Sequence, residues 1–255
     1  MEYVKENVRT FVYMVSVVLA LSIYTFVVRA DVGTLRTIRL EEGFGFAASF
    51  YLLLALLPTP LYTVFPATPG KALYTHARRA IGISTFCFAF AHAYISFFGL
   101  FQGFEGIPFL DVRYLTLLGL GAVALGILFF LAATSFNIAV RLLGPWWKRL
   151  HRFVYLAGVL TLLHIVLLGS HFNEPSSILP LSFISLAFGF LVLEAARYDK
   201  KRILARPGYT PRFSGVFVLC CILLTVAFMT LTSGSSSLHA GHGGSVTAST
   251  TLVTP

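Results

Sequence analysis

Seven apolar stretches, each about 17–22 residues long and free of buried charge, follow one another along this chain at 11–28, 44–65, 80–101, 114–134, 153–171, 178–193 and 213–232. Each is long enough to cross a hydrocarbon layer about 30 Å thick as a helix. A helix is also the one open element that satisfies its own backbone hydrogen bonds there. With 57% hydrophobic and 11% charged residues, the chain reads as an all-α, polytopic membrane helix bundle.

The net charge of +9 could belong to a nucleic-acid binder, but its distribution follows the loops. The N-terminus (Lys5, Arg9), the 66–79 loop (Lys71, Arg78, Arg79), the 135–152 loop (Arg141, Lys148, Arg149, Arg152) and the 194–212 loop (Arg197, Lys200, Lys201, Arg202, Arg206, Arg212) fall on one side. They hold fifteen of the nineteen lysines and arginines, against Arg29, Arg36, Arg39 and Arg113 opposite. The positive-inside rule then predicts a cytoplasmic N-terminus and an outer C-terminus in an inner or plasma membrane, with lipid as the surrounding partner and no nucleic acid. The basic start, apolar run and Val28-Arg29-Ala30 also have the outline of a cleaved signal peptide. The length of the run and Arg29 beside the cut favour a retained helix.

Pro58, Pro60, Pro66 and Pro69 predict a broken helix end and an ordered turn after the second span. Gly144-Pro145-Trp146-Trp147 does the same before the fifth, with tryptophans suited to the headgroup layer. Residues 233–255 form a Ser/Thr/Gly-rich tail expected to be disordered, where His239 and His242 make a weak metal site at best. Cys87, Cys220 and Cys221 lie in spans and show no disulfide or metal spacing; Cys87 reads as a small packing residue before a sulfur ligand. Phosphate loops, dinucleotide fingerprints and CxxC pairs are all lacking, so a flavin or nicotinamide dehydrogenase would have to be a separate polypeptide.

The chemistry concentrates on two histidines. His92 lies 13 residues beyond Arg79, and His164 lies 12 beyond Arg152, each within an apolar span. At about 1.5 Å per residue both sit roughly 20 Å from the basic end, a little past the midplane. An imidazole at that depth needs a partner, and function is the default expectation. The third and fifth spans run in the same direction, so equal sequence depth means equal membrane depth. Two imidazoles facing one another can clamp a haem b from both sides. Ser96 and Gly99 share the face of His92, and Ala157 and Thr161 that of His164, where small residues would leave room for a cofactor.

His151 stands nearer the basic side, about 140° around an ideal helix from His164. It could pair with His76 across a second haem, bind a propionate or a quinone headgroup, or simply lie at the interface. Arg78, Arg79, Lys148, Arg149 and Arg152 would suit anionic propionates. His171, near the outer surface, could touch an acceptor or be an exposed loop residue.

The segments ARRAIGISTFCFAFAHAYISF and LAATSFNIAVRLLGPWWKRLHRFVYLAGVLTLLHIVLL resemble the ferric reductase-like transmembrane family, with most similarity to its small bacterial MsrQ-type haem subunits of the periplasmic methionine sulfoxide reductase system. The resemblance covers about residues 44–195. It implies a six-helix bundle carrying b-type haem between histidine-bearing helices and moving electrons across the membrane. The expected organisation is an N-terminal helix and loop (1–43), the haem-binding core (44–197), a basic inner loop with a seventh C-terminal span (198–232) and the tail (233–255).

The function expected is transmembrane electron transfer through one haem b, or two. The donor would be an inner quinol or flavin on a separate protein, and the acceptor a periplasmic redox partner or ferric iron. The ligands would be His92 and His164, with His151 and His76 as the further metal or cofactor candidates. The alternative is a proton or ion translocator in which His92 and His164 titrate without haem. Glu194, the one carboxylate near a helix end in this region, is expected to pair with Arg197.

Overall fold

The computed structural model describes residues 2–168 and 178–205. His171, the seventh apolar stretch with Cys220 and Cys221, and the tail with His239 and His242 lie outside them. The described residues form α1 (Glu2–Ala30), α2 (Gly33–Leu56), α3 (Pro58–Val64), α4 (Lys71–Ile95), α5 (Val112–Ala133), α6 (Asn137–Leu143), α7 (Pro145–Leu150), α8 (Phe153–Leu168) and α9 (Ile178–Ala205). Five helical segments among them, 7–30, 33–64, 71–100, 112–133 and 145–168, are long and apolar enough to cross a membrane. The chain is an all-α, multi-pass membrane protein. Its surface agrees: Phe26 is 75% exposed and Phe130 62%, an inside-out pattern for water but ordinary against acyl chains.

Small residues decide how closely the helices approach. Ala47, Ala48 and Ala55 of α2 pack with Ala77, Ile81 and Phe88 of α4 in one buried cluster that includes Tyr51. A second cluster joins Leu52 and Leu56 of α2 to Leu128 of α5 and Ala157 of α8. Ala157 is completely buried, so it serves helix packing. The first helix docks through a polar node as well. The Ser16 hydroxyl lies 3.1 Å from the Tyr51 hydroxyl and 2.9 Å from that of Ser84, tying α1 to α2 and α4.

Several local expectations change. Pro58 opens α3 rather than ending the span, because proline at a first helical position forfeits no hydrogen bond. The 135–152 connection is not a simple loop but two short helices joined at Gly144, whose φ of 50° places it in the left-handed region that glycine tolerates. A break at His151 and Arg152 then separates α7 from α8. His151 and His164 therefore do not share one straight helix, and the 140° relation expected between them does not apply. The sixth apolar stretch continues helically as far as Ala205, since no glycine or proline interrupts Glu194–Ala205. Finally, α4 runs into a π-helical turn, Ser96–Leu100, in which Gly99 lies against Thr37 of α2 and so serves helix packing.

Candidate functional site: a histidine pair above a basic cavity

His92 of α4 and His164 of α8 meet. Their ring centres are 6.3 Å apart and their planes are inclined at 82°. Each ring is held by a neighbouring helix. His92 Nδ1 donates to the backbone carbonyl of Glu41 in α2 at 2.9 Å, and His164 Nδ1 donates to that of Leu117 in α5, also at 2.9 Å. A carbonyl can only accept, so both neutral rings carry their proton on Nδ1 and keep the Nε2 lone pair for something else. The carbonyl thus fixes the tautomer and orientation that a metal-binding histidine needs.

The holding helices come unusually near the rings, and sequence reasoning missed how. A Cβ placed on Gly45 would lie 2.9 Å from His92 Nδ1, and one placed on Gly121 would lie 2.8 Å from His164 Cε1. Each glycine follows the accepting residue by one helical turn. The pair is consequently built twice on one plan: carbonyl, glycine four residues later, and an imidazole from the facing helix. The plan differs at one point. The accepting residue is Leu117 for His164, whereas for His92 it is Glu41, whose carboxylate Oε1 also lies 3.2 Å from His92 Nδ1.

Two imidazoles that bind one metal from opposite sides, through nitrogen at about 2 Å each, hold their ring centres roughly 6 Å apart. The observed spacing matches that arrangement. No group of three or more His, Cys, Asp or Glu side chains suited to a metal ion occurs among the described residues. Two imidazoles alone are a poor cage for a bare ion but the full axial set for haem iron. Cys87 is exposed on α4 and takes no part.

On the basic side of the pair lies a cavity of about 1070 Å³. Ser49, Thr85 and Thr161 are among its lining residues, as are the basic His76, Arg78, Arg79, His151 and Arg152, whereas His92 and His164 are not. His76 and His151 therefore share one space. His151 is fixed by stacking on Trp147 at 4.0 Å and by Nδ1 donating to the Trp147 carbonyl at 3.1 Å, while its Nε2 lies 3.4 Å from the Ser135 hydroxyl. Arg78 donates to the Thr59 hydroxyl and Arg79 to Asn137. Arg149 is placed elsewhere, its guanidinium 4.5 Å above the Trp146 ring in a cation–π contact. Glu194 does pair with Arg197, at 3.0 Å, and both line the cavity wall contributed by α9.

Comparison with known proteins places these residues in a family. Residues 44–162 match the family model described as "Ferric reductase like transmembrane component". The chain is also similar to the protein-methionine-sulfoxide reductase heme-binding subunit MsrQ of Cronobacter sakazakii. The two are 34% identical over 154 residues, covering 59% of this chain and 70% of that relative. No solved structure matches. The family-model match runs from Phe44 in α2 through His92 and α5 to Leu162 in α8, and together with the similarity to that relative it shows that the chain belongs to the ferric reductase-like transmembrane family, in its MsrQ-type branch.

Proposed function

We propose that the chain is a transmembrane electron conduit built around a b-type haem that His92 and His164 hold between α4 and α8. The observation that carries this reading is the ring pair itself: two Nδ1-anchored imidazoles, 6.3 Å apart, with both Nε2 atoms left for a metal. The haem supplies one-electron exchange between ferric and ferrous iron, and the protein supplies its position and surroundings. Glu41 and Leu117 hold the ligands in one tautomer through their carbonyls. Gly45 and Gly121 let α2 and α5 come close enough to do so. Lipid-facing apolar side chains keep this part of the bundle dry.

The basic cavity is the donor side. Arg78, Arg79 and Arg152 in its lining attract anionic groups, whether propionates or a reduced flavin, and His151 offers a hydrogen bond to a quinol headgroup. A second haem between His76 and His151 is the second reading, favoured by the cavity's volume and by both imidazoles lining it. The outer acceptor is a separate redox protein, since the relative is one subunit of a protein-methionine-sulfoxide reductase. This direction requires the N-terminus inside. A single cysteine in the 66–70 loop should label only from the cytoplasmic side of the membrane and one in the 102–110 loop only from the outer side; the reverse pattern would refute the orientation.

The decisive test is a dithionite-reduced minus oxidised spectrum of the detergent-purified chain, with haemochrome quantification. A b-type spectrum near one haem per chain is the expected result. Near two would establish the second reading. No haem, after expression with adequate haem supply, would overturn the conduit and favour the translocator in which His92 and His164 titrate.

A further inference from the structure

The two halves of the histidine site are copies of one design, and their one chemical difference has a consequence. His164 Nδ1 meets a carbonyl whose own side chain is the leucine of Leu117. His92 Nδ1 donates to the Glu41 carbonyl at 2.9 Å and has the Glu41 carboxylate beside it at 3.2 Å. The contact is sheltered, with His92 and Glu41 side chains only 25% and 20% exposed. A carboxylate beside the imidazole favours positive charge on the ring and so makes the opposite nitrogen a stronger electron donor. A carboxylate beside the ring also places negative charge near whatever the ring binds. Both effects favour the more positive of two oxidation states of anything bound at Nε2.

We infer that Glu41 is a tuning and positioning residue that lowers the reduction potential of the metal centre held by His92 and His164, an inference that rests on the haem reading above. Glu41 reaches that centre only through His92. The carbonyl contact alone orients the ring, as Leu117 does for His164; the carboxylate adds charge. The chain thus holds its two ligands with equal geometry and unequal donor strength. A more reducing centre passes electrons more readily to an outer acceptor.

The test is a spectroelectrochemical titration of the purified full chain against E41Q and E41D. Glutamine keeps an acceptor oxygen but removes the charge, whereas aspartate keeps the charge on a shorter arm. E41Q should retain haem and show a ferric-to-ferrous ratio about tenfold lower at fixed potential, equivalent to a rise of about 59 mV for one electron. E41D should lie closer to the native chain than E41Q. An unmoved potential in fully loaded E41Q would overturn the inference, as would E41D shifting as far as E41Q. Loss of haem from E41Q in a folded chain would also overturn it, by making Glu41 necessary for assembly rather than for tuning. Native chain that contains no haem would instead defeat the haem reading on which the inference rests, so the two failures are distinct.

Discussion

Replacing His92 or His164 by alanine should lower the haem content of the purified chain at least tenfold in each case, while His151→Ala leaves the central site filled. Changing only the hydrogen-bonding partner of a metal ligand commonly costs about 10–100-fold in metal affinity. Removing a ligand outright, from a site that has two, must cost more. The arrangement also explains why the two variants should behave alike. Each imidazole is fixed by a helix other than the one that carries it, so neither can swing over to cover for its partner. The bundle itself should survive, since the buried clusters of α2, α4, α5 and α8 do not include either ring. Unchanged far-ultraviolet circular dichroism alongside a lost difference spectrum would separate ligand loss from unfolding. Free imidazole added to the alanine variants should restore part of the spectrum. Full haem content in both variants would refute the ligand assignment.

How far the sequence discloses this site depends on what each residue has to satisfy. The membrane helices are legible because lipid offers their backbones no other partner, so length and apolarity are nearly sufficient. The meeting of His92 and His164 is legible for a related reason. Helices separated by one crossing run parallel, and equal distance from a basic end then becomes equal depth. Breaks inside a connection are less so. Nothing in Leu150-His151-Arg152 marks the interruption between α7 and α8, because no proline or glycine is required there. The glycines are the instructive failure. Gly45 and Gly121 touch the rings, yet Gly119 and Gly126, on the same helix as Gly121, and Gly82 on α4 would have nothing within 4 Å of an added Cβ. The local sequence around them is alike, and only the neighbouring helix distinguishes them. A usable signal did exist: a glycine on the long helix preceding each histidine helix, repeated in both halves. Its meaning appears only when the helices are paired.

Gly121→Ala should therefore be the single-methyl change most damaging to the histidine site, with Gly45→Ala close behind. The added methyl at position 121 would lie 2.8 Å from His164 Cε1, 2.9 Å from Nδ1 and 3.2 Å from Nε2, so it presses on the ring itself. At position 45 it would lie 2.9 Å from His92 Nδ1 and 3.2 Å from Cε1. Neither ring can simply turn aside, because rotation breaks the Nδ1 hydrogen bond to Leu117 or Glu41. The helices must part or the imidazole must leave its alignment. Overpacking of this kind costs about 1–3 kcal/mol. If that cost falls on the ligand-bound state, haem affinity drops by roughly fivefold to over a hundredfold at about 1.4 kcal/mol per decade. Gly82→Ala, Gly119→Ala and Gly126→Ala supply the contrast. With open space around the new methyl, each should leave haem binding unchanged and could raise helix stability by about 0.5–1 kcal/mol. Haem content and thermal midpoint, measured across all five variants, read both effects. Should Gly121→Ala bind haem like the native chain, the close approach of α5 to His164 would not be what holds that ligand in place.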